Sequence, residues 1–272
     1  MKADILNVKG EKAGKIDLPE QFSENYHPLI IMRAFNAALS QKYQHYGTDP
    51  RAGLRKVTEL SKRRRKYRGV YGAGRSRTPK KVMSRSGLRF HYVADKAPQT
   101  RKGRVAHPPL VEKVFEEKIN KKEKLLALRS AIAATIMKDV VSRRNHKIGN
   151  ISLPLIVESA EILKKTKEVK GLLEKLGLTD ELKRIKERKI RAGKGKNRGR
   201  KYKVKKGPLF VASSDCSLLK SAKGLLGVEA VPVKNLNVTL LAPGGKPGRL
   251  TIWTKEAVQE MGKDKLFTGE KK

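Results

Sequence analysis

Nineteen of the 63 residues from Gly47 to Pro109 are Lys or Arg, against three acids, Asp49, Glu59 and Asp95, and the densest part reads Ser61-Lys-Arg-Arg-Arg-Lys-Tyr-Arg-Gly. The chemistry open to such a run is neutralisation of a polyanion, because like charges at this density repel unless phosphates lie between them. Glycines at Gly69, Gly72, Gly74, Gly87 and Gly103 let a backbone press close to a partner. Tyr67, Tyr71, Phe90 and Tyr92 lie among the charges, where their rings can stack on bases. A solvated, disordered linker is the plainer alternative, but it leaves the single sign of the charge and the interleaved aromatics unexplained. The stretch is too poor in large aliphatics to pack a core of its own, so it is expected to order only against its polyanionic partner.

A second basic stretch runs from Lys183 to Lys206, with 14 Lys or Arg and one acid, Glu187, and its centre Arg191-Ala-Gly-Lys-Gly-Lys-Asn-Arg-Gly-Arg-Lys-Tyr has no hydrophobic period. The two segments carry +16 and +13, so 29 of the formal +38 sits in 87 of the 272 residues. The remaining 185 residues have near-ordinary composition and suffice for one core.

Catalytic patterns fail on inspection. Gly72-Ala-Gly74 and Gly193-Lys-Gly195 lack the glycine spacing and the Lys-Ser/Thr step of a phosphate loop, and in Gly244-Gly-Lys-Pro a proline follows the lysine. The five histidines (His27, His45, His91, His107, His146) are scattered, with no His-Glu-x-x-His pair for zinc. They read as surface or satisfied structural residues. Cys216, the single cysteine, follows Asp215 at a predicted helix start; the neighbouring carboxylate opposes thiolate formation, and a small buried residue is the favoured reading. One cysteine also excludes an internal disulfide and a cysteine-rich zinc site. No catalytic residue, metal site or cofactor is expected.

The elements that must hold the basic segments follow from pattern. Ile5–Val8 and Ile16–Leu18 read as short strands, and Pro28 opens a helix whose Met32, Phe35, Leu39, Tyr43 and Tyr46 recur at helical spacing up to Gly47. Ala106-His-Pro-Pro closes the arm, since two prolines enforce an extended segment. Val111–Ile119 is predicted as a short helix and Lys121–Arg144 as a long one with Leu125, Leu128, Ile132, Ile136 and Val140 on one face. Leu153-Pro-Leu-Ile-Val reads as a buried strand, Glu158–Leu176 as helical with a break near Lys170-Gly171, and Thr179 caps a helix running toward Ile190. Leu209-Phe-Val-Ala is a strand, Ser213-Ser-Asp215 supplies caps for the next helix, Val228–Val233 is an edge-type strand with Pro232, and Leu250-Thr-Ile-Trp253 is the last, before a helix from Lys255. Short apolar strands alternating with helices argue for an α/β fold, a three-layer α/β/α globular domain with a mostly parallel sheet, carrying a long extended basic loop and a second basic extension.

A pI near 10.4 points to nucleic acid or an anionic surface. No apolar run approaches the roughly 20 residues needed to span a bilayer. The start, Met1-Lys-Ala-Asp-Ile-Leu-Asn-Val-Lys-Gly, lacks a signal-peptide core, so a cytoplasmic location is expected.

Several blocks in order resemble the archaeal and eukaryotic branch of the large-subunit ribosomal protein L4 family: Gly103-Arg-Val-Ala-His-Pro-Pro, Leu126-Ala-Leu-Arg-Ser-Ala-Ile-Ala-Ala-Thr, Lys189-Ile-Arg-Ala-Gly-Lys-Gly with Arg198-Gly-Arg-Lys-Tyr, and Leu241-Ala-Pro-Gly-Gly-Lys-Pro-Gly-Arg-Leu-Thr-Ile-Trp-Thr. Their order and spacing cover nearly the whole chain from the arm onward. The resemblance implies a non-enzymatic ribonucleoprotein component of translation that binds large-subunit (23S-type) rRNA, without homo-oligomerisation, membrane or cofactor. It implies an α/β body on the solvent side and a basic loop that penetrates the rRNA and helps form the wall of the peptide exit tunnel, beside neighbouring large-subunit proteins, ribosomal protein L22 among them.

On that basis the body comprises residues 1–46, 110–182 and 207–272, the rRNA-penetrating loop 47–109 and the basic rRNA-binding extension 183–206. The expected rRNA-binding residues are Lys62, Arg63, Arg64, Arg65, Lys66, Arg68, Arg75, Arg77, Lys80, Lys81, Arg85, Arg89, Arg101, Lys102 and Arg104 in the loop, and Lys194, Lys196, Arg198, Arg200 and Lys201 in the extension. Arg64, Arg65, Tyr67, Tyr71, Arg75 and Arg77 form the candidate tunnel-loop tip. Arginine forks fix RNA geometry, whereas lysines act as point charges that set salt-dependent affinity. Two other readings use the same basic residues: a repressor binding its own leader transcript, and an RNA-modifying enzyme, which would need a glycine loop or polar catalytic cluster that the sequence does not contain.

Overall fold

In the computed structural model, which describes residues 1–58, 60–67, 69–149 and 151–268, the short apolar runs of the sequence become strands buried on both faces. The chain begins with β1 (Lys2–Leu6) and β2 (Lys12–Asp17), then α1 (Pro28–Ser40). The strands β3 (Lys80–Ser86) and β4 (Arg89–Ala94) follow within the basic arm. Next come α2 (Lys121–Ala133), α3 (Lys138–Arg143), β5 (Leu155–Val157), α4 (Thr166–Lys175) and α5 (Thr179–Lys186). The second basic stretch contains β6 (Arg188–Ile190) and β7 (Tyr202–Val204). The chain then runs through β8 (Leu209–Ala212), α6 (Ser217–Lys223), β9 (Glu229–Pro232), α7 (Val238–Leu241), β10 (Thr251–Thr254) and α8 (Lys255–Lys263). It divides into two units, Met1–Lys42 with Glu116–Lys272, and Tyr43–Phe115.

The first unit is α/β. Its sheet has the order β2-β1-β5-β10-β8-β9, parallel throughout except for the antiparallel edge pair β1–β2. Alternation along each strand sorts side chains into two cores. Ile156, Leu209, Val211 and Trp253 face one, with α1, α2, α7 and α8; Leu155, Val157, Phe210, Ala212 and Ile252 face the other, with α3, α4 and α6. Trp253 is a core residue, edge-on to Phe22 with ring centroids 5.1 Å apart. Pro232 ends the edge strand β9, where its missing N–H costs no ladder bond.

Several sequence expectations are corrected. α1 stops at Ser40 and buries Ile31, Ala34, Ala37 and Ser40, leaving Met32 exposed, because the alanine stripe permits closer packing than the larger one. Val111–Ile119 is not helical; Val111 and Val114 are exposed, so a helix there would have no face to bury. The long helix over Lys121–Arg144 is two, α2 and α3, separated at residues 134–137. Thr135 donates its hydroxyl to the Ile132 carbonyl at 2.7 Å there, a local bond that competes with helix continuation. Glu158–Leu176 becomes a short 3-10 turn at Ala160–Ile162 followed by α4, which runs unbroken through Gly171. The helix expected to reach Ile190 ends at Lys186, and Arg188–Ile190 pairs as a strand instead. Ser213–Asp215 do not cap α6, whose N-cap position is Cys216 without a side-chain cap bond.

Candidate nucleic-acid interface

Within the unit Tyr43–Phe115, β3 and β4 form an antiparallel hairpin that pairs Lys81 with Val93, Val82 with Tyr92 and Arg85 with Phe90, with Met83 bulged out. The sequence expectation left these aromatics open for bases; the fold sets an arginine over one face of Tyr71, of Phe90 and of Tyr92. Arg75 stands 4.2 Å from the Tyr92 ring centroid, Arg85 5.4 Å from Phe90 and Arg77 5.6 Å from Tyr71. A guanidinium stacked this way is oriented by the ring while its N–H edge stays available for phosphate.

Of the loop residues expected to bind rRNA, Lys62, Arg63, Arg64, Arg65, Lys66, Arg77, Arg85, Arg89, Arg101, Lys102 and Arg104 are exposed, as are Tyr67 and Tyr71 of the candidate tip. Arg75, Lys80 and Lys81 are half-buried. Lys80 donates to the Ser76 hydroxyl at 2.9 Å and Lys81 pairs with Asp95 at 3.0 Å, so both lysines are engaged inside the unit. Arg68, with the acid Glu59, lies outside the described residues.

The second extension belongs to the first unit. β6 and β7 pair Arg188 with Val204, Lys189 with Lys203 and Ile190 with Tyr202. A 3-10 turn over Lys194–Arg198 caps this ribbon, and Arg191 Nε donates to the Arg200 carbonyl at 3.1 Å. Lys194, Lys196, Arg198, Arg200 and Lys201 lie on the turn and the limbs beside it; Lys194, Lys196, Arg198, Arg200 and Lys201 are each at the surface of the ribbon.

The root of this ribbon is clamped by buried charge. Arg184 donates to the Lys206 carbonyl at 2.7 Å and Arg249, fully buried, to the Gly207 carbonyl at 2.8 Å. Glu181, also fully buried, accepts from Arg184 at 2.6 Å and from the Lys147 N–H at 3.0 Å, and His146 Nδ1 lies 2.7 Å from it. Burial pushes the Glu181 carboxyl up, but Arg184, His146 and the Lys147 N–H outweigh it and bring the carboxyl down to about 2. Burial lowers His146 below its ordinary value against the pull of Glu181. Gly227, at φ +75°, lies where a Cβ would meet the Ile185 side chain and the Lys205 carbonyl, which lets the chain beside the root pass close.

A family model described as the ribosomal protein L4/L1 family matches residues 16–264. The chain belongs to the ribosomal protein L4/L1 family. It is 47% identical over 268 residues to the large ribosomal subunit protein uL4 of Nanoarchaeum equitans, covering 98% of this chain and 100% of that one. The proteins of the same name from Methanocaldococcus jannaschii and Archaeoglobus fulgidus are 42% and 44% identical over 264 residues, each covering 96% of this chain and 98% of theirs.

In this L4/L1 family member the carboxyl ends of the parallel strands, where open α/β sheets commonly bind ligands, are occupied by Glu161. Its carboxylate accepts from the Ser213 N–H at 2.7 Å, the Ser213 hydroxyl at 2.9 Å and the Thr254 hydroxyl at 2.7 Å. Cys216, beside this crevice, has its thiol pushed up by burial, away from thiolate chemistry. Among the described residues no group of three His, Cys, Asp or Glu is placed to hold a metal ion, and no helix is long and apolar enough to cross a membrane.

Sequence reasoning missed Glu181, Arg249, Glu161 and Asp95. Asp95, Glu161 and Arg249 meet their side-chain partners only through the fold, and Glu181, with Arg184 one turn away, meets His146 only that way. The one available signal was Asp95 itself, a lone acid in a run of cations.

Proposed function

We propose that the chain is a non-catalytic structural component of the large ribosomal subunit, binding its rRNA through two cationic regions, the loop 47–109 and the extension 183–206, with residues 1–46, 110–182 and 207–272 as the body. The loop reaches toward the peptide exit tunnel and contributes to its wall, with Arg64, Arg65, Tyr67, Tyr71, Arg75 and Arg77 at its tip and ribosomal protein L22 as a neighbour. The observation that carries this reading is the pair of antiparallel ribbons, 80–94 and 188–204, whose charged residues are all Lys or Arg, in a chain that shares nearly its full length with large-subunit proteins.

Cations on extended ribbons follow a phosphate backbone, and neutralising about 6–10 phosphates makes affinity fall by roughly 10³–10⁵ between low and moderate salt. Sedimentation of cell lysate through a sucrose gradient at high salt tests the assignment: the chain is expected in large subunits at one copy each, and a chain that stays at the top of the gradient refutes it. Crosslinkers placed at Arg64 and Tyr71 are expected to capture a stalled nascent peptide, and capture of rRNA alone would remove the tunnel role while leaving the rRNA role.

A further inference from the structure

Asp95 is 1% exposed and is the only described residue of Tyr43–Phe115, apart from Gly69, that is buried. A unit of this size ordinarily hides an apolar core; here the hidden side chain is a carboxylate. Lys56 Nζ donates to one of its oxygens at 2.9 Å and the Lys96 N–H to the same oxygen at 2.8 Å, while Lys81 Nζ stands 3.0 Å from the other. Lys56 also donates to the Lys102 carbonyl at 3.0 Å, and the Asp95 N–H donates to the Pro79 carbonyl at 2.9 Å. The outgoing limb at Lys56, the first hairpin strand at Lys81 and the end of the second at Asp95 are therefore tied through one carboxylate, and the Lys56 ammonium carries the tie on to the returning limb at Lys102.

From this geometry we infer that Asp95 is a positioning residue for RNA binding: its carboxylate sets the hairpin that bears Arg85 and Arg89, with Arg75 stacked on its Tyr92, at a fixed attitude to the limbs bearing Arg101 and Arg104 before RNA arrives. The inference rests on the rRNA-binding reading above and departs from the expectation that the arm orders only against its polyanionic partner. Without the carboxylate, two lysine ammonium groups are left facing each other in a strongly positive unit, and their repulsion opens the junction. With it, the cation array is preorganised and less ordering is lost on binding.

The test separates positioning from simple charge because the two predict opposite signs. Asp95→Asn is close in size and adds one positive charge, so charge alone predicts tighter binding of a large-subunit rRNA transcript by the full chain. Positioning predicts binding roughly tenfold weaker, with the slope of affinity against salt unchanged because every cation remains. Asp49→Asn, at an exposed acid of the same unit paired with Arg55, makes the same charge change and is expected not to weaken binding. Hydrogen exchange on the free full chain supplies the control for folding: amides of β3 and β4 are expected to be protected in the parent and to lose protection in Asp95→Asn, with β8 and β10 unaffected in both. Unchanged or tighter binding by Asp95→Asn, or β3–β4 amides that exchange in the parent as fast as those of Arg63–Lys66, overturns the inference. A parent chain that fails to bind the transcript at all refutes the rRNA-binding reading instead.

Discussion

The two basic ribbons are alike in charge and in hairpin form, yet they are held in different ways. The β6–β7 ribbon is rooted in an apolar body, where buried Glu181 aligns Arg184 and where Arg249 grips the Gly207 carbonyl. The β3–β4 ribbon lies in a unit whose one buried side chain, among the described residues, is Asp95. In both, an enclosed carboxylate that accepts from a cation and from a backbone N–H does the holding that aliphatic residues do elsewhere, because a segment so rich in Lys and Arg has few aliphatics to bury. The acids of a basic segment can thus matter more to its shape than the far more numerous bases.

The difference in anchoring is broken most severely at Glu181. Replacing it with alanine leaves the part-buried Arg184 without its carboxylate beside His146, and denaturant titration is expected to show a loss of about 3 kcal/mol in the first unit. Asp95→Asn is expected to leave that same transition where it was, since it touches only the other unit. Equal effects of the two substitutions on the transition would erase the distinction between the two modes of anchoring.

A smaller effect sharpens it. Gly227→Ala forces a side chain into a left-handed backbone conformation against Ile185, and is expected to cost about 1–3 kcal/mol, read in the same titration, with looser β6–β7 amides in hydrogen exchange. The cations of the second ribbon come next. Replacing Lys196, Arg198 and Arg200 by Gln is expected to flatten the slope of log affinity against log salt by about 0.7–0.9 for each phosphate no longer neutralised, without moving the melting temperature.

The smallest effect is the pH dependence of the Glu181 cluster. His146 and Glu181 both have folded values below their unfolded ones. His146 is therefore neutral in the fold and gains a proton on unfolding, so its contribution is complete above about 6.5 and is lost as pH falls toward the lowered folded value. The contribution of Glu181 is present above its ordinary range and is lost as pH falls through about 2. Melting temperature is expected to decline from neutral pH downward, and His146→Gln is expected to remove the upper part of that decline. A flat profile in the parent would show that the pair does not couple to folding.

The body was legible where burial is two-sided. Leu155–Val157, Leu209–Ala212 and Thr251–Thr254 read as strands because a central parallel strand needs apolar residues on both faces. The break between α2 and α3 was not, since Leu125, Leu128, Ile132, Ile136 and Val140 keep one helical period across it, while the break lies in a local bond from the Thr135 hydroxyl to the Ile132 carbonyl. The β3–β4 hairpin escaped because a bulge at Met83 breaks its alternation and Val82, Met83 and Val93 are exposed, so no buried apolar face marks it. The charged character of both ribbons was plain from composition, but the acids that hold them were not: the two lysines that pair with Asp95 lie 14 and 39 residues away, and His146 lies 35 residues from Glu181.

The central claim is that two separately anchored cationic ribbons each engage large-subunit rRNA. Hydroxyl-radical footprinting of that rRNA with the full chain tests it most directly, comparing the parent with a variant carrying Gln at Arg85 and Arg89 of the β3–β4 ribbon and with one carrying Gln at Lys196, Arg198 and Arg200. The account predicts that each variant loses its own set of protected nucleotides while retaining the other set. Footprints of both variants identical to that of the parent, or a single shared set lost in both, would contradict it.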